Sequence, residues 1–222
     1  MCTPDSPALL CTQAATLSLV FHGATPMVPT FRADVRLFQV GSTNWFGGGA
    51  DLTPYYLFDE DARAFHSAWR NICDAHECAD HAHFKAWCDR YFYLPSRQEH
   101  RGIGGISFDD LSSPGAFDFV HEVARQWLPS YLPIVEKRRL LRFSEAQRNW
   151  QLERRGRYLE FNLLNDRGVR FGLEAGTVDS VERIMVSAPP LIRWKYKSTA
   201  APGSEEERLL EVLKSPRDWL LE

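Results

Sequence analysis

Three consecutive glycines, Gly47, Gly48 and Gly49, lie between the aromatic pair Trp45 and Phe46 and the acid Asp51, in a stretch that runs on to Tyr56. Glycine weakens helix and strand interiors, so a run of three suits places where the backbone must be approached more closely than a Cβ allows. A flat ligand lying against the main chain is one reading. The other is a tight turn ending a strand, with Asp51 bonded to its own backbone. In both, Asp51 is the only carboxylate of an apolar, glycine-rich segment that Pro54 stiffens at its exit.

The preceding stretch shows strict alternation. Phe31, Ala33, Val35 and Leu37 are apolar, and Arg32, Asp34 and Arg36 fall between them. A period of two predicts a strand with three charged groups on one face. Thr16 to His22 alternates in the same way, with Leu17, Leu19 and Phe21 on one side. Pairing of the two strands would add Ser18 and His22 to the charged surface.

Beyond the glycines, Phe58, Ala62, Phe65, Trp69 and Ile72 recur at helical spacing after the acids Asp59, Glu60 and Asp61, which predicts a helix to about His76. Phe84, Trp87, Cys88 and Tyr91 predict a second. Gly102, Gly104 and Gly105 form a bend feeding a strand at Ile106 to Phe108, the wrong order for a dinucleotide-binding loop. A third helix, containing Phe117 to Leu128, is expected to stop near Pro129 and Pro133. Ser144 and Gln147 have capping-box spacing and open a fourth. The last third reads as strands: Tyr158 to Asn165, a turn through Gly168, a return over Val169 to Leu173, and another strand over Val181 to Ser187. Ser204 and Glu207 cap a final helix carrying Leu209, Leu210 and Leu213. Strands at both ends with helices between them indicate an α+β fold, one domain over residues 1–222, with helices packed on a largely antiparallel sheet.

Composition excludes several classes. A net charge of −3 argues against nucleic acid, although Glu136 to Arg170 carries ten Lys/Arg against five Asp/Glu. No apolar run approaches the roughly 20 residues of a membrane span. Met1 to Ala15 lacks a basic region followed by a long apolar one, so no secretory signal is expected. The five cysteines are odd in number and form no small-scaffold pattern, which suits a reducing, cytoplasmic setting. Cys73, His76, Cys78, His81, His83 and Cys88 crowd one segment but lack paired short zinc spacing, and Cys73 and Cys88 fall on apolar helix faces.

Trp45 to Tyr56, Trp87 to Tyr93, Arg101 to Leu111, Tyr131 to Arg139, Arg154 to Asn162, Ser187 to Trp194 and Pro216 to Trp219 together resemble the oxygen-dependent coproporphyrinogen III oxidases, in family order and from about Leu17 onward. The resemblance implies a broad antiparallel sheet with helices on both faces, a homodimer, and oxidative decarboxylation of two propionates of coproporphyrinogen III to vinyl groups. Molecular oxygen is the co-substrate, and no organic or metal cofactor is implied. A reduced tetrapyrrole presents central N–H donors and a rim of carboxylates, a target suited to one central acceptor and peripheral arginines. By resemblance, Asp51 is the central carboxylate and, with Arg36, the catalytic pair. Ser18, Asp34, Arg36, Arg101 and Gly176 contact substrate, and Gly47, Gly48 and Gly49 form the bed of the macrocycle.

Departures accompany these matches. The family's polar strand face carries histidine, asparagine and arginine where this chain has Arg32, Asp34 and Arg36. Of three histidines proposed in the family as metal ligands, His22 and His66 remain and Ser96 replaces the third. A Gly-Gly-Arg substrate contact reads Gly176, Thr177, Val178. A lead-in of roughly a quarter of a typical chain is absent before the first strand, which would expose sheet edges. A non-catalytic tetrapyrrole-binding or dimerising relative is therefore the alternative expectation.

Overall fold

The computed structural model describes residues 12–174, 176, 180–196 and 198–221. Four antiparallel strands form its main sheet: β1 (Thr12–Phe21), β2 (Thr30–Val40), β3 (Thr43–Thr53) and β6 (Gly105–Leu111), in spatial order β1-β2-β3-β6. A two-stranded ribbon, β4 (Tyr93–Leu94) with β5 (Glu99–His100), lies apart from it in the hydrogen-bonding pattern. Helices α1 (Asp59–Asp74) and α2 (His81–Tyr91) separate the first three strands from β6. Helices α3 (Ala116–Arg138), α4 (Glu145–Leu164), α5 (Arg167–Glu174), α6 (Val181–Met185) and α7 (Glu205–Lys214) follow it. The fold is α+β, as expected, and no described helix is long and apolar enough to cross a membrane.

Register divides the sheet into two chemically distinct faces. Phe31 pairs with Leu52, Ala33 with Ala50, and Ala50 with Ile106, all buried. Phe65, Trp69 and Ile72 of α1 and Phe119, Val123 and Tyr131 of α3 join that core. The opposite face pairs Arg32 with Asp51, Asp34 with Gly49, Arg36 with Gly47, and Ser18 with Asp34. Because side chains alternate, one register sets both faces at once.

The glycine run is strand, and the turn reading is wrong for it. Gly48 pairs with Val35 and Phe108 on the apolar face, whereas Gly47 and Gly49 belong to the polar one. A Cβ at Gly48 would stand 2.6 Å from the Asp34 carbonyl oxygen and 2.9 Å from the Phe108 ring. A bulge in β6 lies opposite, where Asp110 adopts φ 53° and the extra residue shifts the pairing between Phe46 and Gly48.

Four expectations fail in the second half of the chain. α3 runs through Pro129 and Pro133 instead of stopping there. Each proline costs about 3 kcal/mol in a helix interior. Phe119, Val120, Val123, Trp127, Tyr131 and Ile134 are all buried, however, and each large apolar side chain removed from water is worth about 1.5–3 kcal/mol. Tyr158 to Leu164 is the end of α4, not a strand, and Val169 to Leu173 lies in α5. Val181 to Met185 is helical as well. The described strands therefore all lie in the first half, and the second half is helical. α4 begins at the anticipated capping box: Ser144 Oγ accepts from the Gln147 amide, and Gln147 Oε1 accepts from the Ser144 amide. Much of its buried face is polar. Gln151 Nε2 donates to the Gly23 and Thr25 carbonyls at 3.0 Å each, and Arg155 Nη2 donates to the Gly23 carbonyl at 2.8 Å. Apolar periodicity is thus a poor guide to this helix.

Gly48→Ala is expected to destabilise the protein by about 1–3 kcal/mol through overpacking against main chain and the Phe108 ring. Urea denaturation measures this, and an unchanged midpoint would mean that the sheet opens freely at this point.

Candidate functional site

At the inner end of the polar face, the carboxylate of Asp51 meets the guanidinium of Arg101, which lies on the turn before β6. Both residues are buried, at 2% and 1% exposure. Arg101 Nη2 donates to Asp51 Oδ2, and the guanidinium carbon lies 3.9 Å from the Phe92 ring centroid, 4.5 Å from Tyr158 and 5.0 Å from Phe161. Its Nε and Nη1 have no hydrogen-bond partner, and the ring faces take their place. Asp51 Oδ1 is likewise without a hydrogen bond.

Along β2 the charges alternate outward from this pair. Arg32 Nη1 lies 2.9 Å from Asp34 Oδ1 and 4.0 Å from Asp51 Oδ1. Arg36 Nε lies 3.3 Å from Asp34 Oδ2, and its Nη2 is 3.9 Å from Asp109 Oδ2 on β6. Burial works against the charge on Arg32, but Asp34 and then Asp51 outweigh it and raise its pKa. Burial, with Asp51 acting in the same direction, raises the Tyr158 phenol against the pull of Arg101.

Two clefts open beside the row, and Arg32 lines both. One, of about 40 Å³, is walled by Asp34, Arg36, Trp87, Tyr91, Asp109 and Arg167. The other, of about 380 Å³, is walled by Ser18, Tyr158, Asn162, Asp166 and Ser187. The structure thus brings Ser18, Asp34, Arg36, Gly47, Gly49, Asp51 and Arg101 to one face. By register Gly48 falls on the apolar face, yet its main chain lines the smaller cleft, while the Arg36 and Asp109 side chains lie over Gly47. Gly176 stands exposed at φ 63° and lines neither cleft, and Thr177 and Val178 lie outside the described residues. Arg101 serves Asp51 here as a shielded counter-ion.

The sequence reading passed over Phe92, Tyr158, Phe161, Asp166 and Arg167. Tyr158 and Phe161 were legible as i and i+3 of a helix continuing from Arg154, but the strand reading sent them to opposite faces. Tyr91 Oη donates to Asp166 Oδ2 at 3.2 Å, and the Arg167 guanidinium lies 5.7 Å from the Tyr91 ring centroid, so the α4–α5 junction closes over the polar face.

A model of the coproporphyrinogen III oxidase family matches residues 5–219. The chain belongs to this family. It is 47% identical over 215 residues to the oxygen-dependent coproporphyrinogen-III oxidase of Francisella tularensis subsp. holarctica strain LVS, covering 93% of this chain and 69% of that relative. The corresponding protein of Francisella philomiragia subsp. philomiragia is 48% identical over the same shares.

Set beside other members of the coproporphyrinogen III oxidase family, the two remaining histidines do structural work here. His22 lies 2.9 Å by Nε2 from the Ser187 carbonyl, to which it donates, and 3.1 Å by Nδ1 from Thr30 Oγ1. His66 Nε2 donates to the Ile103 carbonyl at 3.1 Å, and burial pushes its pKa down to about 3. Among the described residues no three His, Cys, Asp or Glu side chains converge as a metal site. Cys73 and Cys88 are packed in apolar surroundings, and burial pushes the Cys73 thiol up to about 12.

Removing either member of the buried pair strands a charge. Asp51→Asn and Arg101→Leu are each expected to cost about 3–5 kcal/mol, and the double variant less than their sum. A double-mutant cycle by urea denaturation checks this; strict additivity would mean that the two groups do not sense each other. His66 gives a pH prediction. It stays neutral in the fold, whereas the unfolded chain takes up a proton below its ordinary pKa of 6.5. Its contribution is therefore fully present above pH 6.5 and is lost as pH falls toward about 3. His66→Gln should flatten the stability–pH curve across that window by up to one proton's worth, about 1.4 kcal/mol per pH unit.

Proposed function

We propose that this chain catalyses the oxidative decarboxylation of coproporphyrinogen III to protoporphyrinogen IX with molecular oxygen, a step of haem biosynthesis. The observation that carries the reading is Asp51, a buried carboxylate with one oxygen free of hydrogen bonds, set among arginines on a sheet face. A porphyrinogen supplies what this arrangement lacks. Its pyrrole N–H groups suit Asp51 Oδ1, and its propionates suit Arg36 at the outer end of the row and Arg32 beside Asp51. The macrocycle lies over Gly47, Gly48 and Gly49 once the Arg36 and Asp109 side chains that cover Gly47 move toward its rim. Family membership and the names carried by the relatives support the same activity and disfavour a non-catalytic tetrapyrrole binder.

Arg101 holds Asp51 in place, and Asp51 in turn stabilises positive charge that develops on the electron-rich ring as oxygen oxidises it. Each reacting propionate loses carbon dioxide and a hydride equivalent from the carbon next to the ring, leaving a vinyl group, while molecular oxygen takes the two electrons and two protons and leaves as hydrogen peroxide. Arg36 anchors the carboxylate side of the ring. Clefts of about 40 and 380 Å³ divided by Arg32 are small for a tetrapyrrole, and ligand sites of this class occupy about 300–1,000 Å³. Binding therefore swings Arg32 away from Asp34 and Asp51, joining the two clefts. The protein works as a cytoplasmic homodimer of one-domain subunits, with neither an organic cofactor nor a metal.

Aerobic incubation of purified protein with coproporphyrinogen III, followed by chromatography for the tricarboxylic intermediate and dicarboxylic product, tests this directly. Turnover is expected without added metal or nucleotide and unchanged by chelator; loss on chelation and recovery with one metal would overturn the metal-free reading. Arg36→Ala should weaken substrate binding at least tenfold, and more so at low salt, where screening is least. Arg32→His should retain binding, and its turnover reports whether a titratable group at that position aids proton transfer. If neither substitution alters affinity, the polar face is not the substrate site.

A further inference from the structure

Val186 and Ser187, just beyond α6, line the larger cleft together with Ser18, Tyr158 and Asn162. No residue of α6 is buried and Val186 is 85% exposed, so apolar packing does little to hold this wall. Hydrogen bonds to Ser187 do. Asn162 Nδ2 donates to its Oγ at 3.2 Å, and His22 Nε2 donates to its carbonyl at 2.9 Å.

The bond from His22 ends a longer network. His22 Nδ1 lies 3.1 Å from Thr30 Oγ1, Thr30 Oγ1 lies 2.6 Å from the Tyr55 phenol oxygen, and Arg155 Nε lies 3.3 Å from that phenol. Thr30, Tyr55 and Arg155 are all buried. Its direction is fixed at both ends, because a guanidinium only donates and a carbonyl only accepts. Arg155 therefore donates to Tyr55, Tyr55 to Thr30, Thr30 to His22 Nδ1, and His22 Nε2 to Ser187. Such a network needs a neutral imidazole, and burial does lower the His22 pKa, against the pull of the Ser187 carbonyl. Arg155 Nη2 and Gln151 Nε2 also donate to the Gly23 carbonyl, which ties α4 to the residue after His22. The His22 ring meets Tyr158 edge-on, with centroids 5.0 Å apart, and Tyr158 is one of the faces over the Arg101 guanidinium. Both ring nitrogens are thus committed, and His22 itself lines neither cleft.

We propose that His22 is a positioning residue: through the network from Arg155 it fixes Val186 and Ser187 as a wall against which the rim of the macrocycle is placed. The inference rests on the coproporphyrinogen reading given above and adds to it a residue that acts without touching substrate. A wall of this kind meets the substrate alike before and during the reaction, so its loss raises KM and leaves kcat nearly unchanged.

Hydrogen exchange over residues 184–191, read by mass spectrometry beside steady-state kinetics with coproporphyrinogen III, tests this. His22→Asn places an amide only where Nδ1 stands and loses the bond to Ser187, whereas the longer His22→Gln restores an N–H at the place of Nε2. Exchange and KM are expected to rise at least tenfold in His22→Asn, with kcat within about threefold of wild type, and His22→Gln should recover most of both. Thr30→Val leaves the ring in place and serves where His22→Asn fails to fold; it should raise KM several-fold, and Thr30→Ser should not. Exchange unchanged in His22→Asn, or KM unchanged where exchange rises, would overturn the proposal. A fall in kcat at constant KM would overturn it as well, since that marks a direct part in the chemistry. A wild-type protein that turns over no porphyrinogen would instead sink the activity on which the proposal rests, and the exchange data, which need no substrate, tell the two failures apart.

Discussion

The buried ion pair between Asp51 and Arg101 is the interaction on which the rest of the site depends. Desolvating both charges is expensive, and an interior pair holds together only where geometry and surroundings repay that cost. Here the repayment comes from four parts of the chain. β3 supplies Asp51, the turn before β6 supplies Arg101, the end of α2 supplies Phe92, and α4 supplies Tyr158 and Phe161. Aromatic faces cover the guanidinium nitrogens that hydrogen bonds leave open. Helices and sheet are consequently locked in one relation, and the free oxygen of Asp51 inherits a defined position.

From that anchor the charges of β2 alternate outward, each arginine held by a carboxylate within its own face. A self-neutralised row discriminates between ligands. A simple anion must compete with Asp34, Asp51 and Asp109 for the same guanidiniums and gains little. A ligand that brings N–H donors for Asp51 together with carboxylates for the arginines replaces both halves of each broken pair. The row thus favours molecules with polar groups of both kinds at a fixed spacing. Arg32, which borders both clefts, is the member whose movement changes the size of the site.

The elements easiest to read from sequence were those whose burial is apolar and one-sided. β2 alternates because one face is core and the other polar, and α1 repeats because Phe65, Trp69 and Ile72 face the sheet. α4 was half legible. Its capping box marked the start, but its buried residues mix Gln151, Arg154, Arg155, Arg157 and Asn162 with Tyr158, Leu159 and Phe161, so the hydrophobic period is weak. The alternation over Tyr158 to Asn165 is what remains when polar residues are buried by hydrogen bonding. At Pro129 and Pro133 a local rule was correct in sign but outweighed by six buried side chains of α3.

The sequence by itself determined the two faces of the sheet, because a period of two leaves no choice once Phe31 and Ala33 are buried. It also determined the polar row and the family to which its motifs point. Tertiary structure alone decided which of the many arginines serves Asp51, since Arg101 is fifty residues away and charge complementarity does not discriminate among guanidiniums. It decided too that Gly48 falls on the core face of the sheet while Gly47 and Gly49 fall on the polar one, and that Arg154 lies buried with two nitrogens lacking a hydrogen bond. These outcomes depend on register and on helix docking, where distant residues meet, and no local pattern encodes such meetings.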